Sequence, residues 1–145
     1  MSVYSHILLA VDFSINTDAV VERALAISKL CAAKVSMVHV VEFVQMDLSS
    51  ELVVPQELEL DQELLTLADK RLQELGEQYG IPESERFVSQ GSTKREILRV
   101  AQEQNTDLIV IGSHGREGIQ LLLGSTANAV LHGAPCDVLA VRIRD

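Results

Sequence analysis

Apolar positions along the chain follow two alternating rhythms. Apolar runs at His6 to Val11 (HILLAV), Asp107 to Ile111 (DLIVI) and Asp137 to Ile143 (DVLAVRI), and a partly alternating one at Lys34 to Val41 (KVSMVHVV), read as strands. They are short and rich in β-branched residues, as in a sheet covered on both faces. Between them, apolar residues recur at helical spacing: Val20, Ala24, Ile27 and Cys31, then Leu60, Leu64, Leu67, Leu72 and Leu75, then Ile97, Val100 and Ala101. Helix-stop residues from Gly76 to Pro82 close the second of these, and Thr93-Lys94-Arg95-Glu96 reads as a capping box opening the third.

Arg86 to Ser89 supplies a weaker fifth strand, and Gly124 to His132 has a fourth helical pattern. Glu42 to Gln56, with Pro55, has no clean period and reads as a functional loop or an irregular helix. Strands interleaved with helices predict a doubly wound α/β domain over residues 1–145, with a five-stranded parallel sheet and helices on both faces. Right-handed crossovers favour strand order 3-2-1-4-5, which puts a ligand crevice at the carboxyl ends of strands one and four.

Composition narrows the classes. No run of eighteen apolar residues occurs and the N-terminus has no export pattern, so the expectation is a cytoplasmic protein that does not span a membrane. A net charge of −9 argues against general affinity for nucleic acid or anionic lipid. The charge is concentrated between Glu42 and Asp69, with eight acidic residues and no basic one, which reads as a solvated face. Cys31 and Cys136 lack the close Cys/His spacing of a zinc site and read as buried free thiols.

The segment DLIVIGSHGREGIQLLLGST, Asp107 to Thr126, carries most of the chemistry. A strand ends at Gly112, Gly115 follows, and Gly124-Ser125-Thr126 opens the next helix. Glycines allow close backbone approach to an anion and a helix start offers unpaired donors, although the same glycines could serve only to turn the chain. Asp12 ends strand one and reads either as a ligand contact or as a turn residue for Ser14 and Asn16. His114 could reach a phosphate or be a spectator, and Arg116 could clamp a phosphate or face solvent. His39 reads as a satisfied core residue, and His6 and His132 join no evident cluster. Val11 and Val40 offer apolar walls at strand ends for a base.

HILLAVDFS, MVHVVE, GSHGREGIQLLLGST and APCDVLAVR together resemble the universal stress protein superfamily along nearly the whole chain. The resemblance implies a five-stranded α/β fold, a homodimer, and membership of the branch whose G-x2-G-x9-G-[ST] signature accompanies ATP binding. On that pattern Gly112, Gly115, Gly124 and Ser125, with Ser113, His114 and Arg116 inside the motif and the backbone at Thr126, would hold ribose and phosphates. Ala10, Val11 and Asp12 would line the adenosine pocket, and the Val40 backbone would meet the adenine edge. The sequence departs from the pattern in one respect: eight residues, Arg116 to Leu123, separate Gly115 from Gly124.

Enzymatic readings find little support. There is no Walker G-x4-G-K-[ST], no G-x-S-x-G elbow, and no G-x-G-x-x-G after strand one. The expected cofactor is ATP, with Mg as an optional companion ion, and any hydrolysis should be slow. The expected partners are an adenine nucleotide, a second copy paired through Asp137 to Ile143, and proteins the sequence does not identify. The alternative is a stress protein that has lost the nucleotide and acts only as a protein-interaction subunit.

Overall fold

A computed structural model describes residues 3–42, 55–113 and 124–142, with side chains in the second stretch from residue 60 onward. The elements are β1 (His6–Ala10), α1 (Thr17–Cys31), β2 (Lys34–Val41), α2 (Pro55–Tyr79), a single 3-10 turn (Glu83–Glu85), β3 (Arg86–Gln90), α3 (Thr93–Glu103), β4 (Leu108–Gly112), α4 (Ser125–Gly133) and β5 (Asp137–Val141). All strand pairs are parallel and the sheet order is β3-β2-β1-β4-β5, as the alternation predicts.

Successive strand residues point to opposite faces, so the runs feed two cores. Ile7, Leu9, Val11, Met37 and Val110 pack with Val20, Val21 and Ala24 of α1 and Leu72 and Leu75 of α2. Leu8, Ala10, Val38, Val40, Ile109 and Ile111 pack on the other face with Ile97, Val100 and Ala101 of α3 and Ala127 and Val130 of α4. Burial on both faces is why β1 and β4 read as continuous apolar segments.

Two helix readings are corrected. In α2, Leu60 and Leu67 are 46% and 45% exposed, while Ala68, Leu72 and Leu75 are buried. At about 100° per residue the buried stripe centres on Ala68, Leu72 and Leu75, and the other two leucines fall at its margin. The helix also begins at Pro55, inside the stretch expected to be irregular; residues 43–54 of that stretch lie outside the described set. Gly80 then adopts φ +71 beyond the helix end, and the Ile81 amide returns to the Gly76 carbonyl at 2.9 Å.

At α3 the cap is Ser92 rather than Thr93, with no side-chain capping bond. The Glu96 carboxylate instead accepts from Ser89 Oγ and from Arg99, and Thr93 Oγ1 donates to Glu42 Oε1 at 2.6 Å. An available guanidinium and hydroxyl thus outcompete the backbone amide for Glu96.

Candidate functional site

The sheet changes direction between β1 and β4, and the chain ends gathered there come from β1, β2 and β4. Register fixes their relation. Ala10 pairs with Val38 on β2 and with Ile111 on β4. Two residues further along each chain stand Asp12, Val40 and Ser113, so the strand ends bring these three into one row.

Asp12 is half-buried, and its Oδ1 accepts the Ser14 amide at 3.0 Å. The turn reading of Asp12 is therefore correct, and it leaves the ligand reading open because a carboxylate can accept several bonds. Thr17 Oγ1 donates to the Ser14 carbonyl at 2.8 Å, which ties the turn to the first residue of α1. Ala10 and Val40 lie in the core layer under α3 and α4, whereas the Val11 side chain is buried in the layer under α1 and α2. Strand alternation thus puts the Val11 side chain on the face opposite Ala10 and Val40.

Ser113 connects β4 to its neighbours. Its amide donates to the Val141 carbonyl at 2.8 Å, and its own carbonyl accepts the Gly124 amide at 2.6 Å. The second bond docks the start of α4 on the end of β4. Gly124 occupies the cap with φ −60 and ψ 153, and the first helical bond runs from the Asn128 amide to its carbonyl at 2.9 Å. The amides of Ser125, Thr126 and Ala127 precede that bond and so have no intrahelical acceptor; a glycine cap has no side chain to satisfy them. Ser125 is exposed and Thr126 half-buried. Gly112 ends β4, while His114, Gly115 and Arg116 lie outside the described residues.

A second polar group, at the opposite end of the sheet, was not foreseen. His6 is buried, with Nδ1 2.9 Å from the Gln104 carbonyl and Nε2 2.6 Å from Ser36 Oγ. Ser36 Oγ also lies 2.6 Å from Glu85 Oε2, and Lys34 Nζ stands 3.3 Å from Glu85 Oε1. Burial, reinforced by the Lys34 charge, pushes the His6 imidazolium below its ordinary range. Burial opposes ionisation of Glu85, but the Ser36 and Lys34 bonds prevail and hold its carboxyl below the usual range. The available signal was Ser36, a hydroxyl between Val35 and Met37 in β2. His39, by contrast, is bonded as expected but half-buried rather than in the core: its Nδ1 meets the Val11 carbonyl at 2.7 Å. Cys31 and Cys136 are free, half-buried thiols, and burial raises the latter's pKa.

Among the described residues no group of three or more His, Cys, Asp or Glu could hold a metal ion, and no helix is long and apolar enough to cross a membrane.

Comparison with known proteins agrees with this architecture. Residues 4–142 match the model of the universal stress protein family. Universal stress protein A homolog 2 of Coxiella burnetii is 43% identical over 145 residues, covering 99% of this chain and 99% of that one. Among solved structures, universal stress protein UspA of Lactobacillus plantarum superposes with a TM-score of 0.82 at 25% identity, covering 96% of this chain and 98% of that one. A universal stress protein in complex with cAMP superposes with a TM-score of 0.61 at 23% identity, covering 97% and 98%. With its 3-2-1-4-5 sheet and a family match spanning both ends of the fold, the chain belongs to the universal stress protein family.

Proposed function

We propose that this protein is a stress-response regulatory module that binds ATP at the carboxyl end of β1 and β4 and acts as a homodimer. The observation that carries the reading is the start of α4. The Gly124 amide is bonded to Ser113, and the amides of Ser125, Thr126 and Ala127 follow it with no intrahelical acceptor. Such a terminus favours anions through its donors and its dipole. The Ser125 and Thr126 hydroxyls add two further donors. Ala10 and Val40 are buried on the same face of the sheet, and the backbone of Val40 at the strand end would meet an adenine edge. The family relative solved with cAMP supports an adenine nucleotide as the ligand class.

The site has few means of driving phosphoryl transfer. The sequence has no Walker lysine to stabilise a transferring phosphoryl group. Binding without rapid hydrolysis suits a module that reports nucleotide by changing shape or partners. The dimer would form along β5, an edge strand whose Val138, Leu139 and Ala140 are half-buried.

One observation favours the second reading, a protein-interaction subunit without nucleotide: the Gly115 to Gly124 spacing is one residue shorter than the family's binding signature. Mass spectrometry of the supernatant after denaturing freshly purified protein, with calorimetric titration of ATP, separates the two. Binding that weakens about tenfold or more in Ser125→Ala/Thr126→Ala, as expected for lost bonds to a charged ligand, supports the first reading. No recovered nucleotide and no heat of ATP binding supports the second.

A further inference from the structure

We propose that His39 is a positioning residue for the nucleotide crevice, acting from the far face of the sheet through the Val11–Asp12 peptide. The inference rests on the nucleotide reading above and names what holds that site in shape.

The starting observation is Phe13, next to Asp12, at φ 57. A bulky side chain in the left-handed region costs about 1–2 kcal/mol and persists only where neighbours hold it there. Four contacts do so. The Phe13 and His39 rings lie 4.3 Å apart at a tilt of 41°. The Asp12 carboxylate accepts the Ser14 amide, and Thr17 holds the Ser14 carbonyl through its hydroxyl at 2.8 Å and its amide at 3.1 Å.

His39 adds a directional contact. A carbonyl only accepts, so Nδ1 carries the proton and donates it to the Val11 carbonyl at 2.7 Å. That carbonyl and the Asp12 amide form one rigid plane. Pinning the oxygen therefore fixes the direction in which the chain leaves β1 for Asp12, and the ring contact restrains the residue after it. Val11 and Phe13 pack in the layer under α1 and α2, while Ala10 and Val40 lie in the layer under α3 and α4. One imidazole thus links the far core to the turn at the crevice.

The test compares His39→Leu, which keeps bulk and loses the donor, with His39→Asn, whose amide nitrogen sits close to the position of Nδ1. Calorimetry with ATP is paired with amide exchange at Ser14 in the protein without nucleotide. His39→Leu should weaken ATP binding and speed Ser14 exchange about fivefold each, the scale of one lost neutral hydrogen bond. His39→Asn should restore both to within about twofold, a rescue that loss of packing alone would not give. Wild-type affinity in the leucine variant, or equal damage in both variants, overturns the proposal. If the wild-type chain binds no ATP but exchange at Ser14 follows the same order, the nucleotide reading fails and His39 remains the residue that holds the turn.

Discussion

The Asp107 carboxylate, one residue before β4, accepts the amide of His6, the first residue of β1, at 3.0 Å through Oδ1. Its Oδ2 takes the Ser5 amide and hydroxyl, each at 2.9 Å. One acid therefore fastens the start of the central strand to its neighbour. Burial opposes its ionisation, but these donors outweigh it and hold its pKa below the ordinary value. Glu85 is shifted in the same direction, and so is the His6 imidazolium.

All three shifts give one sign for acid. Each folded-state pKa lies below its unfolded value, so the unfolded chain binds more protons and stability falls as pH drops. The loss should begin below about 6.5 as unfolded His6 protonates, then steepen below about 4 as Asp107 and Glu85 follow. Urea midpoints measured from pH 8 to 3.5 should show both phases. Asp107→Asn should lower the midpoint at pH 7 and flatten the lower phase; a midpoint constant across that range would contradict the account.

Gly76→Ala should destabilise the protein although the site is inside a helix. Alanine gains about 1 kcal/mol of helix propensity over glycine. The new Cβ, however, would meet the Arg86 side chain, with Cζ only 2.6 Å away. That side chain is 5% exposed and is held by Nε to the Ile81 carbonyl at 2.8 Å and by Nη1 to Gln73 at 2.7 Å. Displacing a buried cation from its acceptors costs more than propensity returns, so a net loss of about 2 kcal/mol is expected. Chemical denaturation of Gly76→Ala measures it, and a variant as stable as wild type would show that Arg86 moves freely.

Tyr79 should titrate far above an ordinary phenol. Its hydroxyl donates to Asp18 Oδ1 at 2.6 Å, and that bond, followed by burial and the Asp18 charge, pushes its pKa up to about 12. Tyr4, bonded to Asp137, is raised as well. Ultraviolet titration should therefore find less than half of the tyrosine ionised at pH 10. In Asp18→Asn one of the two phenols should return toward about 10, and an unchanged curve would remove the Tyr79–Asp18 bond.

The sheet was legible because burial on both faces writes itself as apolar runs, and the strand order then follows from right-handed parallel crossovers. Leu60 and Leu67 misled because helical spacing defines a stripe but not its centre, which is set by what α2 packs against. Glu96 misled because a capping box competes with partners brought near only by folding, here Arg99 and Ser89. Asp12, Val40, Ser113 and the Gly124–Thr126 start could be read individually, but their row across three strand ends depends on register. The His6, Ser36 and Glu85 contacts join residues far apart in the chain, so the Ser36 hydroxyl marks the place locally but does not name its partners.

The proposed β5 interface should depend on which backbone groups of the strand face outward. A first choice for disrupting it would be proline at Val141, yet the Val141 carbonyl accepts the Ser113 amide at 2.8 Å and its side chain is 5% exposed. In a parallel strand the amide and carbonyl of one residue face the same neighbour, so Val141 is turned toward β4. The outward-facing ladder positions are Val138 and Ala140. Proline at Ala140 would remove an edge donor while leaving the β4 pairing, because proline is tolerated where the missing N–H faces away from the sheet. Light scattering should then give a dimer mass for wild type and a monomer mass for Ala140→Pro at the same micromolar concentration, with the far-ultraviolet spectrum unchanged. A wild-type monomer would refute the dimer, and a dimer unaffected by Ala140→Pro would place the interface on another surface.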